Sequence, residues 1–437
     1  MHERPGAPGC SFDLVFEITE NPMKIKLIIA ASGVLALASL AVAGPASAGG
    51  RHNEPPPQAG TPVTLADGLL TPLSMAVDRD GSVYVSQNFT GTLNKVTKKG
   101  ETSVVASAPG DEIGAVSVRK NTVYFAQAAQ DHSRSNMMAL GKRGTPTPLA
   151  DIAAYESEVN PDQINTYGFI DLPQSCADQF DPTAPPFLPA TYTGAIDTHA
   201  YASIALDDAI YVADAGANAI LRIDYDGTIS TTAVLPPAAP VTASAEIVAQ
   251  FGFPACAAGY QYAFEPVPTG IALGPDGWLY VSSLPGGPED ASLGARGSVL
   301  KIDPDDGEIR TVATGFVGST GVAVSPKTGA VYVTELFGGP NGTGQVSVVP
   351  RGADKASVLL AISTPAAIAL AKGKLYLTTD AFVLGESGPE AVGKVTQVPL
   401  RGSGQGDDSH DDGGHGDHGG NGNWSGHGQN GHSGGRR

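Results

Sequence analysis

Apolar and polar positions alternate along this chain in short runs, and the pattern returns six times. Each copy centres on a Tyr followed by an apolar residue: Tyr84-Val85, Tyr124-Phe125, Tyr211-Val212, Tyr280-Val281, Tyr332-Val333 and Tyr376-Leu377. Three residues before each Tyr stands Gly81, Asn121, Asp208, Gly277, Gly329 or Gly373. These residue types tolerate the left-handed backbone of a tight hairpin. Before each turn lies an apolar strand with a small residue at its centre, as in Met75-Ala76-Val77 and Val322-Ala323-Val324. Strand alternation puts the two apolar residues on one face and the small one on the other. A third alternating segment follows each Tyr strand, as in Val299-Leu300-Lys301-Ile302, then a polar turn such as Asp306-Gly307 and a fourth strand such as Arg310–Ala313.

Four antiparallel strands repeated six times predict an all-β fold, a six-bladed β-propeller over residues 61–400. The alternative is a row of small β domains, against which stand six in-phase copies without linkers. The last copy stops after its third strand, near Leu400, whereas a strand of the fourth type, Val63-Thr64-Leu65-Ala66, precedes the first copy. The N-terminal strand is therefore expected to complete the last blade, close the ring and leave no open sheet edge.

Successive Tyr residues are 40, 87, 69, 52 and 44 positions apart, so two copies carry insertions, at 153–200 and 237–266. Both fall between a fourth strand and the next first strand, which puts them on one face of the disc. They hold 11 of the 28 aromatic residues, among them Tyr167, Phe169, Phe251, Phe253, Tyr262 and Phe264. Loops so aromatic are expected to pack, or to cover a ligand or partner, rather than to stay open.

Composition sharpens this reading. Gly and Pro make up 90 of 437 residues, about 21% where about 12% is usual, which suits a protein of many turns and excludes helical bundles. The net charge is −18, of which −15 lies on residues 49–400. An acidic body without a basic patch speaks against nucleic acid. A cation or a neutral small molecule is the more natural visitor.

The ends read differently. Lys24 and Lys26 precede an apolar run from Leu27 to Val42, followed by Ala46-Ser47-Ala48. This is the pattern of a secretory signal peptide cut after Ala48, with residues 1–48 as leader and Met23 as a second possible start. The apolar run is short for a membrane span, which needs about 20 residues. The mature chain is expected to be secreted, without stable membrane insertion, and monomeric. Residues 49–60, with Pro55-Pro56-Pro57, read as a linker. Residues 401–437 lack any aliphatic side chain and are expected to be disordered. Their His410, His415, His418, His427 and His432 could hold a transition metal weakly, or simply solubilise the tail. Cys176 and Cys256, one in each insertion, are expected to pair as a disulfide that staples the two loops; two buried free thiols are the alternative.

Catalytic signals are sparse. The positions leading into the first strands are Leu73, Gly114, Ala202, Thr269, Thr320 and Ala366. None carries a carboxylate, amide or imidazole, in contrast to six-bladed metal-dependent lactonases and lyases. A quinone-dependent sugar dehydrogenase would need His and several Arg at the centre, yet outside leader and tail only His52, His132 and His199 occur. A polar ring lies three residues beyond each Tyr: Gln87, Gln127, Asp214, Ser283, Glu335 and Thr379 with its neighbour Asp380. One reading makes it a shallow site for Ca²⁺ or another divalent ion, with Asp214, Glu335 and Asp380 as oxygen ligands. The other makes these side chains turn caps, with Asp214 and Asn218 bracing one loop.

The stretch Ile210 to Asn218, Ile-Tyr-Val-Ala-Asp-Ala-Gly-Ala-Asn, resembles the NHL-type blade pattern. Extended to Gly227 and placed behind a signal peptide, it resembles the ScyD/ScyE family of exported bacterial proteins. The resemblance spans residues 61–400 and implies a six-bladed fold, export and two large insertions. It brings no catalytic residues with it. Sequence alone thus leaves two functions open: a binding or scaffold module engaging a small molecule or protein on the insertion face, or a metal-assisted hydrolase or lyase on that face. The first is the expectation; catalysis is not.

Overall fold

The computed structural model describes residues 57–402 apart from 143, 182, 184–188 and 387. The leader, most of the linker and the tail histidines His410, His415, His418, His427 and His432 lie outside the described residues.

The described chain is all-β with few, short helices. Each Tyr-centred repeat forms one antiparallel sheet whose strands pair in chain order. The first strands of the six sheets are Met75–Val77, Asp111–Arg119, Ala200–Ala205, Pro268–Leu273, Ser319–Val324 and Ile368–Ala371. Each is followed by its Tyr strand across a hairpin. In five of the hairpins the turn residue has the expected positive φ: Gly81, Asn121, Gly277, Gly329 and Gly373. Asp208 does not. Its carboxylate instead takes the Arg222 guanidinium at 2.6 Å, with the Tyr211 hydroxyl at 3.4 Å, and braces the hairpin from outside.

Six apolar clusters hold the sheets together, and each joins two neighbours. The Tyr of one sheet packs on the next. Tyr211 meets Leu279 and Val281, Tyr280 meets Val331 and Val333, and Tyr332 meets Leu375 and Leu377. Tyr376 of the sixth sheet packs with Met75, Val83 and Val85 of the first. Burial of Tyr211, Tyr280, Tyr332 and Tyr376, all under a tenth exposed, explains why an aromatic recurs at this position. The arrangement is that of a β-propeller.

The sixth sheet takes its outer residues from the start of the chain. Val63–Leu69 pairs antiparallel with Gly393–Arg401, and Gln58–Ala59 continues along the same edge. The first strands of neighbouring sheets form no backbone ladder with one another and are stitched by hydroxyls. Ser74 Oγ accepts from Val116 N at 2.8 Å, Thr269 Oγ1 donates to Ser319 O at 2.7 Å, and Thr320 Oγ1 donates to Ala366 O at 3.0 Å.

The two insertions are more than loops. They share a four-stranded antiparallel sheet in the order Thr191–Thr193, Thr166–Ile170, Gln261–Ala263, Val241–Thr242, two strands from each. The helices Gln174–Ala177 and Ala245–Gln250 join its core through Cys176 and Val248, whereas Ile152–Val159 packs through Ile152 and Tyr155 on the second and third propeller sheets. Cys176 and Cys256 are joined in a disulfide with Cα atoms 5.8 Å apart. This cap has its own core, in which Phe169 meets Phe253 and Tyr262 edge-on at 5.3 and 4.9 Å.

Candidate functional site

The polar ring beyond the Tyr residues is taken up by its own loops. Gln87 Oε1 accepts from Leu70 N at 2.8 Å, and Gln127 Nε2 donates to Asp111 Oδ2 at 2.6 Å. Asp214, fully buried, accepts from His199 N at 2.7 Å, Thr198 Oγ1 at 2.6 Å and Ala217 N at 3.2 Å. Ser283 Oγ donates to Pro266 O. Glu335 accepts from Val317 N and Gln345 Nε2, both at 2.8 Å, and from Ser347 Oγ. Asp380 pairs with Lys394 Nζ at 2.7 Å. Asp214, Glu335 and Asp380 are not drawn to a common point. The Asp214–Asn218 turn is the expected brace, with Asn218 Nδ2 also 3.4 Å from Gly216 O.

At the lead-ins to the first strands the surface is apolar. Leu73, Tyr201, Leu336, Ala366 and Phe382, with Phe89, Val267 and Phe337 against them, form one cluster drawn from five of the six sheets. Thr269 and Thr320, the polar lead-ins, spend their hydroxyls on the stitching described above. The buried Tyr201 hydroxyl has no hydrogen-bond partner in the protein, and burial pushes its pKa up.

Beside this plug three side chains converge that the polar ring does not include. Glu112, at the start of the second sheet, His132, between its second and third strands, and His199, at the end of the first insertion, bring ligand atoms within 4.8 Å of one another. They are the one such group of three or more among the described residues. His199 Nε2 lies 3.2 Å from Glu112 Oε1, to which Asn88 Nδ2 also donates at 2.8 Å. His132 Nδ1 lies 2.9 Å from Asp197 Oδ1, and the two imidazoles stand 4.7 Å apart. Burial opposes charge on Glu112, yet the charge and hydrogen bond of His199 and the Asn88 amide hold its carboxyl below the usual range. The scarcity of histidine marked His132 and His199 in the sequence. Glu112 gave no signal, because only the fold brings positions 112, 132 and 199 together.

A second acidic region lies where the first insertion meets the third sheet. Burial pushes Glu156 up to about 9, helped by the charges of Asp214 and Asp162. It pushes Asp162 up to about 6 against hydrogen bonds from Asn218 and Tyr167.

The cap itself holds a pocket of about 120 Å³ lined by Phe169, Val241, Ala243, Ile247, Phe251, Phe253, Tyr262, Phe264, Gly287 and Leu293. All but Gly287 and Leu293 come from the two insertions. The loop that carries those two is pinned by Arg296. Its guanidinium sits 4.7 Å over the Phe264 ring and donates to Gly286 O at 2.9 Å and Pro288 O at 2.5 Å. Gly287 is required there: its φ is +83°, and a Cβ would overlap the Phe264 ring.

No protein-family model matches the chain, and no curated protein matches it at a significant level. Solved structures do resemble it. The PQQ-bound aldose sugar dehydrogenase of Streptomyces coelicolor is 14% identical, with 79% of this chain and 98% of that one covered and a TM-score of 0.49. A gluconolactonase of Xanthomonas campestris is 13% identical over 79% and 95%, with a TM-score of 0.46. Virginiamycin B lyase of Staphylococcus aureus is 14% identical over 79% and 100%, with a TM-score of 0.43. At these identities none of them assigns a substrate or a residue role to this chain.

Proposed function

We propose that this chain is an exported binding module, a six-bladed β-propeller closed into a ring by residues 58–69, which takes a small apolar molecule in the pocket of its disulfide-linked cap. The observation that carries the reading is the pocket itself. Aromatic and aliphatic side chains from both insertions surround a space that their own core does not fill. Its size is near the roughly 150 Å³ of an apolar cavity that takes up benzene. An occupant with one or two fused rings would gain about 25 cal/mol for each Å² of apolar surface it removes from water. The plugged lead-ins and the engaged polar ring favour binding over chemistry at the propeller centre. Closure of the ring is supported by the packing of Tyr376 on the first sheet and by the outer pairing of Val63–Leu69. Export is supported by the leader pattern, and a disulfide suits an oxidising compartment. The acidic body speaks for a monomer that does not bind nucleic acid, and no helix among the described residues is long and apolar enough to cross a membrane. Likeness to the ScyD/ScyE family remains part of this proposal.

Thermal melting with indole as the probe tests it. Indole at millimolar concentration should raise the melting temperature of the wild type by a few degrees, as linkage requires of a ligand that binds only the folded state. Leu293→Trp, which fills the pocket from its rim, should melt as a folded protein and lose that shift. An equal shift in both proteins, or none in the wild type, would refute the reading.

A second reading, metal-assisted hydrolysis or lyase chemistry on the same face, is favoured by Glu112, His132 and His199. Two imidazoles and one carboxylate suit zinc or a similar ion, and Asp197 on His132 Nδ1 is the kind of partner that fixes a ligating imidazole. The test is zinc titration. The reading expects one ion per chain, lost in His199→Ala, and it fails if the wild type retains no zinc after dialysis.

A further inference from the structure

A different set of side chains, at the foot of the cap, lacks the partners that burial demands. The helix Ile152–Val159 is capped by Asp151, whose Oδ1 accepts from Ala154 N at 3.0 Å. Asn160 ends the helix in the left-handed region at φ 40°, and Pro161 starts a single turn of 3₁₀-helix that carries Asp162. The chain therefore folds back on itself within seven residues. Glu156 and Asp162 are each 1% exposed.

All three polar side chains of this bend face residues 194–197 at the end of the first insertion. Asn160 Nδ2 donates to Gly194 O at 3.0 Å. Gly194 lies so close over Asp162 that a Cβ there would overlap Oδ1. The Glu156 carboxyl group faces the backbone N–H of Asp197 without reaching a full hydrogen bond. Asp162 Oδ2 is provided for, by Asn218 Nδ2 at 2.9 Å and the Tyr167 hydroxyl at 3.1 Å. Glu156 Oε1 and Oε2, Asn160 Oδ1 and Asp162 Oδ1 are not: these four buried acceptor oxygens have no donor in the protein. Among the described residues no Lys or Arg pairs with Glu156 or Asp162.

Leaving one buried acceptor unmet costs about 1–3 kcal/mol, and more when it is charged, so four in one bend call for a counterpart. Without an ion Glu156, pushed up to about 9, keeps a proton at neutral pH, and the acceptor oxygens of Asn160 and Asp162 are still unmet. A hard divalent cation meets the whole demand, since calcium takes six to eight oxygen ligands from carboxylates, amide carbonyls and main chain. We propose that Glu156, Asn160 and Asp162 bind a calcium ion that locks this bend of the first insertion beside residues 194–197. This donor set is separate from Glu112, His132 and His199, whose imidazoles suit softer ions. It also lies apart from the apolar pocket, so its failure would leave the ligand proposal standing.

The test uses the mature chain stripped with chelator and then given CaCl₂ alone. Elemental analysis should find one calcium per chain, and the melting temperature should rise by about 5 °C at a thousandfold excess over Kd. Glu156→Gln and Asp162→Asn should each abolish the rise, while His199→Ala should keep it. Three results would overturn the proposal: wild type that holds no calcium and melts identically in CaCl₂ and in chelator, a calcium response that survives in Glu156→Gln, or one that is lost in His199→Ala alone. The wild-type measurement decides the matter even if a variant fails to fold.

Discussion

Glu289 shows how a single carboxyl can couple the cap to pH. It sits in the loop that carries Gly287 and Leu293 to the pocket, close enough to Tyr201 for its charge to act on the phenol. Burial, with the neighbouring Asp290 charge, pushes its pKa up to about 7, well above the ordinary 4.5. The folded state therefore keeps a proton that the unfolded chain gives up. Between pH 4.5 and 7 the folded form binds more protons, so this group lowers stability as pH rises through that window. Glu289→Gln should leave stability unchanged near pH 4.5 and raise it by about 1–3 kcal/mol at pH 8, by urea unfolding. Equal effects at both pH values would show that the carboxyl is not strained by burial. Single residues were only partly legible in the sequence. The period of the repeat picked out Gln87, Asp214, Glu335 and Asp380 as a ring, but not whether they face a ligand or their own loops. Hydrogen bonding decides that, and it depends on loop backbone far from each Tyr. Glu112, Glu156 and Asp162 gave no signal at all, because what sets them apart is burial beside residues that only the fold brings near, such as His199 for Glu112 and Asn218 for Asp162.

The cap is where the elements depart most from what periodicity reveals. Two long aromatic segments and one cysteine in each are plain in the sequence. The sheet they build together is not, since its strands are two to five residues long and Thr166–Ile170 pairs with Gln261–Ala263 across about 90 positions of chain. Such short strands leave no alternating pattern to read. The Cys176–Cys256 bond closes an 80-residue span, for which loop-closure entropy gives about 4 kcal/mol. Reduction should therefore add 2 Da and lower the melting temperature markedly, and Cys256→Ala should lower the melting temperature likewise. The cap's aromatic core should keep the reduced form folded at room temperature. A melting curve unaffected by reductant would mean that the bond contributes nothing to holding the insertions together.

For the whole molecule, the repeat made the fold legible because every sheet solves the same problem. A Tyr must be buried on the next sheet, a hairpin must turn, and the first strands must approach closely, so small and hydroxyl-bearing residues recur there. The outer strand from the start of the chain was legible for the same reason: one copy lacked a fourth strand and a spare one stood at the other end. Activity was less legible. Chemistry at a propeller centre would leave polar lead-ins, whereas this chain plugs them with Leu73, Leu336 and Phe382 and moves its open space into the cap. The central claim is that this space exists to hold an apolar ligand on a closed, six-bladed ring. A crystal structure of the mature chain soaked in indole tests it most directly. The account predicts one indole between Phe169, Phe251 and Phe264, with the cap otherwise unmoved. A pocket filled by the cap's own side chains, with indole absent or bound elsewhere, would contradict it.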